Sequence, residues 1–169
     1  MTDIFLPGAG LAPDDNIPAP AAVRVRTRQR TKVSVAESGR MLSRIHGGQT
    51  FEIGLTYNPM LKEQAGPIIA FLQAQQGRNG IFKVKLPQLT GIAGVRLGNF
   101  VNFTDSDKLH LITDYTSTNQ FSVTPDVIGT PTVDTDGPFI RCSLVGDVQE
   151  IRLDRDRLIR LQIDVVERL

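Results

Sequence analysis

The sequence predicts a mainly β fold of the α+β class, and three observations lead to this prediction. Residues 23–35 and 50–57 change character at every second position, which is the period of a β-strand. Residues 99–145 contain short runs rich in β-branched and aromatic residues, separated by clusters of turn-forming residues. A helical spacing of apolar residues, in contrast, occurs in one segment, at about residues 62–76.

The composition is that of an ordinary globular protein. A chain of 169 residues, 40% hydrophobic and 22% charged, can bury a core without disulfides or metals. The net charge of +1 argues against a protein that binds polyanions over its whole surface, and the single cysteine, Cys142, excludes an intrachain disulfide. No run approaches the ~20 apolar residues that span a bilayer, and residues 1–11 lack the basic cluster of an export signal, so we expect no membrane association.

The first 22 residues predict an extended N-terminal arm. Proline is excluded from helix interiors and from central strands, and this segment contains Pro7, Pro13, Pro18 and Pro20. Two interpretations stay open for the apolar residues near its start. They belong to a frayed terminus, or they pack on a neighbouring subunit, because three adjacent apolar side chains would otherwise stay exposed to water. These residues are Ile4, Phe5 and Leu6.

The long strand predicted at residues 23–35 has one basic face. Cationic side chains occupy every second position: Arg24, Arg26, Arg28, Arg30 and Lys32. We expect this strand to pair antiparallel with residues 50–57 through an irregular connection that ends at Gly47-Gly48. The basic face has two interpretations, a subunit interface or solvated strand edge, and a contact with nucleic-acid phosphates.

The helical segment has predictable ends. Asn58-Pro59 predicts the approach to its first turn, since asparagine caps helices and proline is tolerated there. Pro67 favours a late start, near residues 62–64, over a kink, because an interior proline costs about 3 kcal/mol. Gly77 can supply the left-handed conformation that ends a helix.

These patterns divide the chain into an arm, a main β unit and an insertion. The arm comprises residues 1–22, the main unit residues 23–88 plus 150–169 with the helix at about 62–76, and the small all-β insertion residues 89–149. Two further strands of the main unit are predicted at 81–86 and 158–169, where apolar residues alternate with polar ones.

No pattern in the sequence indicates an enzyme, a cofactor site or a metal site. His46 and His110 lie far apart, and with one cysteine they make no zinc set. Four aspartates hint at calcium loops but lack the further carboxylates of an EF-hand, so we interpret them as turn residues. An enzyme that cleaves glycans stays open as an alternative, with its carboxylate pair drawn from Asp105, Asp107, Asp134 and Asp136.

Residues 34–87 carry a pattern that resembles the distal-tail and related baseplate proteins of bacteriophages. Its parts are a strand, Gly-Gly-Gln at 47–49, a second strand, a helix with Ala-Phe-Leu at 70–72, the turn QGRNGIF at 76–82, and a strand ending in Leu-Pro at 86–87. Two further stretches are similar to that family, a hairpin that starts with glycine at residues 97–114 and the Glu-bearing end VVERL at 165–169.

The resemblance implies a tail-tube-like β-sandwich with one flanking helix and a small all-β insertion. It implies a structural virion protein of the tail tip, assembled in the host cytoplasm as a hexameric ring that joins the tail tube to the hub or baseplate. Its partners would be copies of itself, the tail tube protein, and hub or other baseplate proteins, with no small-molecule substrate. The main unit would form the ring, and the insertion would face outward or towards a neighbouring tail protein.

Interface residues follow from this reading as a hypothesis: Ile4, Phe5, Leu6, Arg24, Arg26, Arg28, Arg30 and Lys32. DNA would contact such a ring at most transiently, in its channel. An alternative function is a nucleic-acid-binding module that uses the basic strand Arg24–Lys32.

Overall fold

The computed structural model describes residues 4–9, 17–45, 47–86, 95–117, 120–129, 132–134, 137–148, 150–153 and 158–168. Strands make up 52% of the described residues and helix 12%, which confirms the predicted mainly β, α+β class. The strands are β1 Ala22–Arg28, β2 Thr31–Val35, β3 Met41–Ile45, β4 Thr50–Thr56, β5 Met60–Leu61, β6 Phe82–Lys85, β7 Phe100–Phe103, β8 Ser106–Ser117, β9 Gln120–Thr124, β10 Phe139–Leu144, β11 Ile151–Leu153 and β12 Leu158–Glu167. The helix α1 spans Lys62–Ala74, and a single 3-10 turn spans Gly77–Asn79.

The main sheet has the order β1-β4-β12-β10-β6, and all of these neighbours are antiparallel. The short strands β5 and β11 pair with the first half of β12. β12 is therefore central. The alternation predicted for it is confirmed, because Ile159, Leu161, Ile163 and Val165 are buried while the residues between them face outward or are half-buried.

One face of the main sheet forms the hydrophobic core. The helix packs on it through Ala65, Ile68 and Leu72, which share one cluster with the inward side chains of β4, β6, β10 and β12. Phe71 meets Phe82 of β6 edge to face, with ring centroids 5.3 Å apart. The spacing of apolar residues that predicted the helix therefore corresponds to the face that it buries.

The helix begins at Lys62, as the proline argument predicts, but its cap differs from the prediction. Leu61 occupies the N-cap position, and its N–H donates to Oε1 of Gln64 at 3.1 Å. Asn58 lies upstream of strand β5 and does not cap the helix, because β5 pairs with β12 before the helix can start. Pro67 is accommodated inside α1. The left-handed residue that directly follows the C-cap Gln75 is Gln76, at φ 52°, and the predicted Gly77 comes next, also left-handed at φ 68°.

A three-stranded sheet, β7-β8-β9, covers another part of the core. Its residues Phe100, Leu109 and Leu111 join the main cluster, and Phe100 meets Phe51 of β4 edge to face at 5.6 Å. The prediction was wrong for β10, which was placed with these strands in the insertion at 89–149. β10 instead lies between β6 and β12 in the main sheet, because its alternating Ile140, Cys142 and Leu144 complete the main core.

A buried ion pair fastens the two sheets together. The Glu167 carboxylate, at the end of β12, contacts the Lys108 ammonium of β8, and both side chains are almost completely buried. Glu167 also accepts the N–H of Leu109 at 3.1 Å and that of Phe51 at 3.2 Å. Lys108 donates in addition to the carbonyl of Gln49 at 2.6 Å. Both buried charges are thus paired and hydrogen-bonded, as burial requires.

Candidate assembly interface

The most exposed element of the chain is the β2–β3 hairpin, residues 31–45. Its strands pair with each other in a separate two-stranded sheet, and all ten strand residues are exposed. The turn is closed by the N–H of Ala36, which donates to the carbonyl of Arg40 at 2.9 Å, and by Gly39 at φ 77°. The continuous strand predicted over 23–35 was wrong here, because β1 ends at Arg28 and the chain leaves the main sheet.

One face of the hairpin is apolar. Directly opposed pairs are Thr31 with Ile45, Val33 with Ser43, and Val35 with Met41, so these side chains share a face. The apolar members expose 52% to 79% of their surface: Val33, Val35, Met41 and Ile45. Full burial of such a side chain stabilises a protein by about 1.5–3 kcal/mol. Contact with a partner that covers this face would therefore be favourable.

The other face of the hairpin is basic. Lys32 lies directly opposite Arg44, and Arg40 follows on the same side because Ala36 pairs across the turn with it. No ion pair to any of these three cations is present among the described residues. Leu42 is the apolar exception on this face, with 54% of its surface exposed.

The predicted basic stripe is split between the main sheet and the hairpin. On the main sheet, Arg24 pairs with Asp164 at 3.3 Å and Arg28 with Glu52 at 3.8 Å. Arg26 lies opposite Glu52 in the register of β1 and β4. Carboxylates of β4 and β12 therefore balance most of the positive charge in the sheet portion of the stripe. This portion is a weak site for anions.

The remaining two members of the stripe lie beyond the main sheet. Arg30 is in the link that leaves β1, and Lys32 is on the hairpin. Both are exposed. Among the described residues neither forms an ion pair, so the link and the hairpin carry the unbalanced part of the stripe.

Among the described strands, β1 leaves one edge of the main sheet open. It is the terminal strand of the sheet order, paired on one side with β4. The N–H groups of Phe51 and Tyr57 donate towards β12, to Glu167 and to the carbonyl of Leu161. The even-numbered residues of β4 therefore face β1, and in the antiparallel register they meet even-numbered residues. The N–H of Thr27, an odd-numbered residue of β1, consequently points to the open edge.

The opposite edge of the sheet is closed by the N-terminal segment. Phe5 pairs in parallel with Lys83 of β6, whose N–H donates to the carbonyl of Ile4 at 2.8 Å and whose carbonyl accepts the N–H of Leu6 at 3.0 Å. Leu6 has no exposed surface and belongs to the main core. The hypothesis that Leu6 contacts a neighbouring subunit was wrong, because the open edge of β6 provides a site within the chain. Ile4, half exposed at 53%, and the half-buried Phe5 lie at this edge.

The residues considered for chemistry are dispersed or neutralised. Asp107 contacts Lys83 at 2.7 Å and Arg141 at 3.7 Å, so it is held as an ion-pair partner. Asp105 is exposed at the β7–β8 turn. His46 and Asp136 lie outside the described residues, and within the described part no group of three His, Cys, Asp or Glu side chains could hold a metal ion. Asp134 lies beside β7, where its N–H donates to the carbonyl of Asn102 at 2.9 Å.

Burial shifts the pKa of three side chains. Burial lowers the pKa of His110, whose Nδ1 donates to the carbonyl of Pro125 at 2.7 Å and whose ring meets Phe103 edge to face. Burial raises the pKa of the Cys142 thiol and of the Tyr57 hydroxyl well above their ordinary values. A thiol that stays protonated is a poor nucleophile. Cys142 therefore contributes to the packing of the core and is unsuited to nucleophilic catalysis.

A surface groove of about 700 Å³ lies between β12 and residues Val145, Gly146, Val148 and Glu150. Tyr57, Leu72 and Leu144 form part of its wall. Its two carboxylates are engaged in ion pairs, Glu150 with Arg152 and Asp164 with Arg24. The groove thus has the composition of a surface depression and lacks a poised acid or base in its described lining.

No family model matches the sequence, and no curated protein is significantly similar to it. Among the described helical residues, no segment has the length and apolar character needed to cross a membrane. The features that bear on function are therefore the hairpin, the open edge of β1 and the sequence pattern at residues 34–87.

Sequence reasoning missed the apolar face of the hairpin. The alternation of Val33 and Val35 was assigned to a strand of the main sheet, and residues 40–45 were treated as an irregular connection. The signal that could have found the hairpin is the turn Glu37-Ser38-Gly39 flanked by two short β-rich runs. That signal predicts the hairpin itself and gives no information on what the hairpin contacts.

Proposed function

We propose that this chain is a structural subunit of a bacteriophage tail. In this proposal it forms a ring at the distal end of the tail tube and connects the tube to the hub or baseplate. It acts through contact surfaces, in the virion, after assembly in the host cytoplasm. Its partners are copies of itself, the tail tube protein, and hub or other baseplate proteins.

The observation that carries the proposal is the exposed apolar face of the β2–β3 hairpin. A two-stranded hairpin is marginally stable alone, and four apolar side chains on one face add a further cost of exposure to water. Both problems are relieved if the hairpin lies on another protein surface. A chain that maintains such an element in its folded state is suited to permanent association.

The open edge of β1 supports association between copies of the same chain. Its outward N–H groups can pair with a strand of a neighbour, and the hairpin continues directly from this strand, so both contacts can be made by one neighbouring copy. Because the opposite edge at β6 is closed by residues 4–9, the two ends of the sheet differ. Contacts between unlike surfaces are heterologous, and a heterologous contact that closes on itself generates a ring.

The pattern at residues 34–87 supports the tail-tip assignment. Its Gly-Gly-Gln segment immediately precedes β4, its Ala-Phe-Leu segment lies in α1, and its Leu-Pro ending follows β6. The pattern thus follows consecutive elements of the main unit. Glu167, in the stretch that resembles the family's Glu-bearing end, holds the two sheets together.

The proposal is tested by measuring the mass of the purified protein by native mass spectrometry and by imaging it by negative-stain electron microscopy. We expect a closed ring, with six copies as the number that the resemblance implies. The hairpin variant Val33→Thr/Val35→Thr/Ile45→Thr keeps β-branched side chains while replacing apolar groups with hydroxyls. We expect this variant to remain folded and to shift to monomers.

Matched controls are Ile128→Thr and Val148→Thr, which change two apolar side chains that are more exposed than any on the hairpin, at 101% and 90%. These variants should form rings like the unchanged protein. A protein that stays monomeric at all concentrations and is missing from purified tails would contradict the proposal.

A further inference from the structure

Charge is strongly segregated along this nearly neutral chain. Residues 24–45 contain seven basic residues and one acidic residue, a net charge of +6. The rest of the chain contains twelve basic and seventeen acidic residues, a net charge of −5. The overall charge of +1 therefore conceals a local cationic surface, and such surfaces attract polyanions even when the whole protein is neutral.

Three of these seven cations lie together on the basic face of the hairpin. Arg24 and Arg28 are balanced on the main sheet by Asp164 and Glu52, whereas Lys32, Arg40 and Arg44 share the basic face and form no such pair with a described residue. Lys32 and Arg44 are direct cross-strand neighbours, and like charges in this position repel each other. An anion that lies between them relieves the repulsion.

Part of the acidic charge outside residues 24–45 is already engaged. Among the described residues, six of these seventeen acidic side chains form ion pairs within the chain: Glu52, Asp107, Asp147, Glu150, Asp164 and Glu167. A neighbouring copy would have to give up existing pairs to neutralise the hairpin through these groups. These six groups are therefore poor counter-ions for the hairpin of a neighbouring copy, whereas a nucleic-acid backbone presents closely spaced negative charges.

We infer that the basic face of the hairpin binds the phosphate backbone of double-stranded nucleic acid. Residues 31–45 contain no aromatic side chain, so they offer no platform on which unpaired bases could stack, and they also lack the aromatic anchors typical of membrane-surface elements. Cations with no aromatic neighbours suit phosphates, which are recognised without regard to base sequence.

This inference rests on the proposed function, because the ring determines which hairpin face stays accessible. A neighbouring copy that covers the apolar face leaves the opposite, basic face open. Each copy adds Lys32, Arg40 and Arg44, so a ring presents the same contact repeatedly. Repetition raises the avidity above that of a single copy without any new type of contact.

The test is fluorescence anisotropy with a labelled mixed-sequence DNA duplex of ~30 base pairs, at ~50 mM and ~200 mM salt. We expect the unchanged protein to bind at low salt and to lose affinity steeply as salt rises. The variant Lys32→Ser/Arg40→Ser/Arg44→Ser should bind at least about tenfold more weakly and with a shallower dependence on salt. The variant Arg40→Lys/Arg44→Lys keeps the charge and should retain the binding.

The matched control is Lys62→Ser/Arg96→Ser/Arg168→Ser, which removes the same charge from exposed sites outside the hairpin. It should bind like the unchanged protein. Equal weakening in this control and in the hairpin variant would overturn the inference, as would binding to vesicles of anionic phospholipid with no binding to the duplex.

Native mass spectrometry of the same samples separates the two proposals. A ring that does not bind the duplex overturns the inference and leaves the proposed function standing. A monomer that binds the duplex, and loses this binding in the hairpin variant, supports a phosphate-binding hairpin and overturns the ring.

Discussion

Glu167 shows how much of the fold depends on one side chain. Its carboxylate accepts N–H groups from Phe51 and Leu109 and pairs with the Lys108 ammonium, so that it joins β12 to β4 and β8. Removal of one partner from a buried ion pair leaves the other charge without compensation. The two residues therefore act as a unit that holds the small sheet against the main sheet.

We predict that Lys108→Met lowers the free energy of unfolding by about 3–5 kcal/mol, because it leaves the Glu167 charge buried and unpaired. The double variant Lys108→Met/Glu167→Gln should recover part of this loss, since it removes the unpaired charge and the glutamine carbonyl oxygen can still accept one of the two backbone N–H groups. Urea unfolding followed by circular dichroism measures both. A double variant less stable than the single one would argue against a charge-based role.

His110 gives the small sheet a dependence on pH. Burial lowers its pKa in the folded state below the ordinary value of about 6.5, so between the two pKa values the unfolded chain binds more protons. The contribution of neutral His110 to stability is therefore complete above about pH 6.5 and is lost as the pH falls below it.

We expect the His110→Gln variant to show a smaller loss of stability between about pH 7 and pH 5 than the unchanged protein, since glutamine can donate to the Pro125 carbonyl but does not titrate. Thermal unfolding at a series of pH values provides the comparison. Parallel pH profiles for the two proteins would exclude His110 as the titrating group.

At the scale of elements, the proposed contacts between copies belong to β1 and to the β2–β3 hairpin. β1 belongs to the main sheet through β4, while its outward N–H groups face the open edge. The hairpin adds an apolar face to this edge. The N–H groups of β1 that face the open edge can therefore be removed without loss of the hydrogen bonds between β1 and β4.

Thr27→Pro is predicted to block ring formation and to change the stability of the subunit by only about 0.5 kcal/mol. Proline removes the N–H that points to the open edge and leaves the β1–β4 hydrogen bonds intact. Native mass spectrometry measures the first effect and urea unfolding the second.

The neighbouring variant Arg26→Pro is the control for the direction in which the backbone N–H points, because the N–H of Arg26 faces β4 and not the open edge. It should destabilise the subunit by about 3 kcal/mol. Rings of normal mass in Thr27→Pro would show that the edge of β1 is not a subunit contact.

At the scale of the whole molecule, stability is expected to be uneven. The core of the main sheet and α1 is closed on one edge by residues 4–9, while the hairpin extends from the other edge with all its strand residues exposed. Hydrogen bonds exposed to solvent open more readily than those of a packed core. The hairpin is the element whose stability should depend most on assembly.

We predict that the backbone amides of residues 31–45 exchange rapidly with deuterium in the isolated subunit and become protected in the ring. The amides of β12 should exchange slowly in both states, since this strand is central. Hydrogen exchange read by mass spectrometry at low and high protein concentration makes the comparison. Rapid exchange of the hairpin in an assembled ring would place the contact elsewhere.

Sequence periodicity by itself determined the local elements of this protein. The alternation at 50–57, 81–86 and 158–169, the helix that starts at Lys62 and the left-handed Gly77 all follow from preferences that act within a few residues. Tertiary structure alone decided which edges meet. It placed Leu6 in the chain's own core, moved β10 into the main sheet, and divided the basic stripe between balanced and unbalanced cations. These outcomes depend on contacts between residues that are distant in sequence, and a local pattern carries no information about such partners.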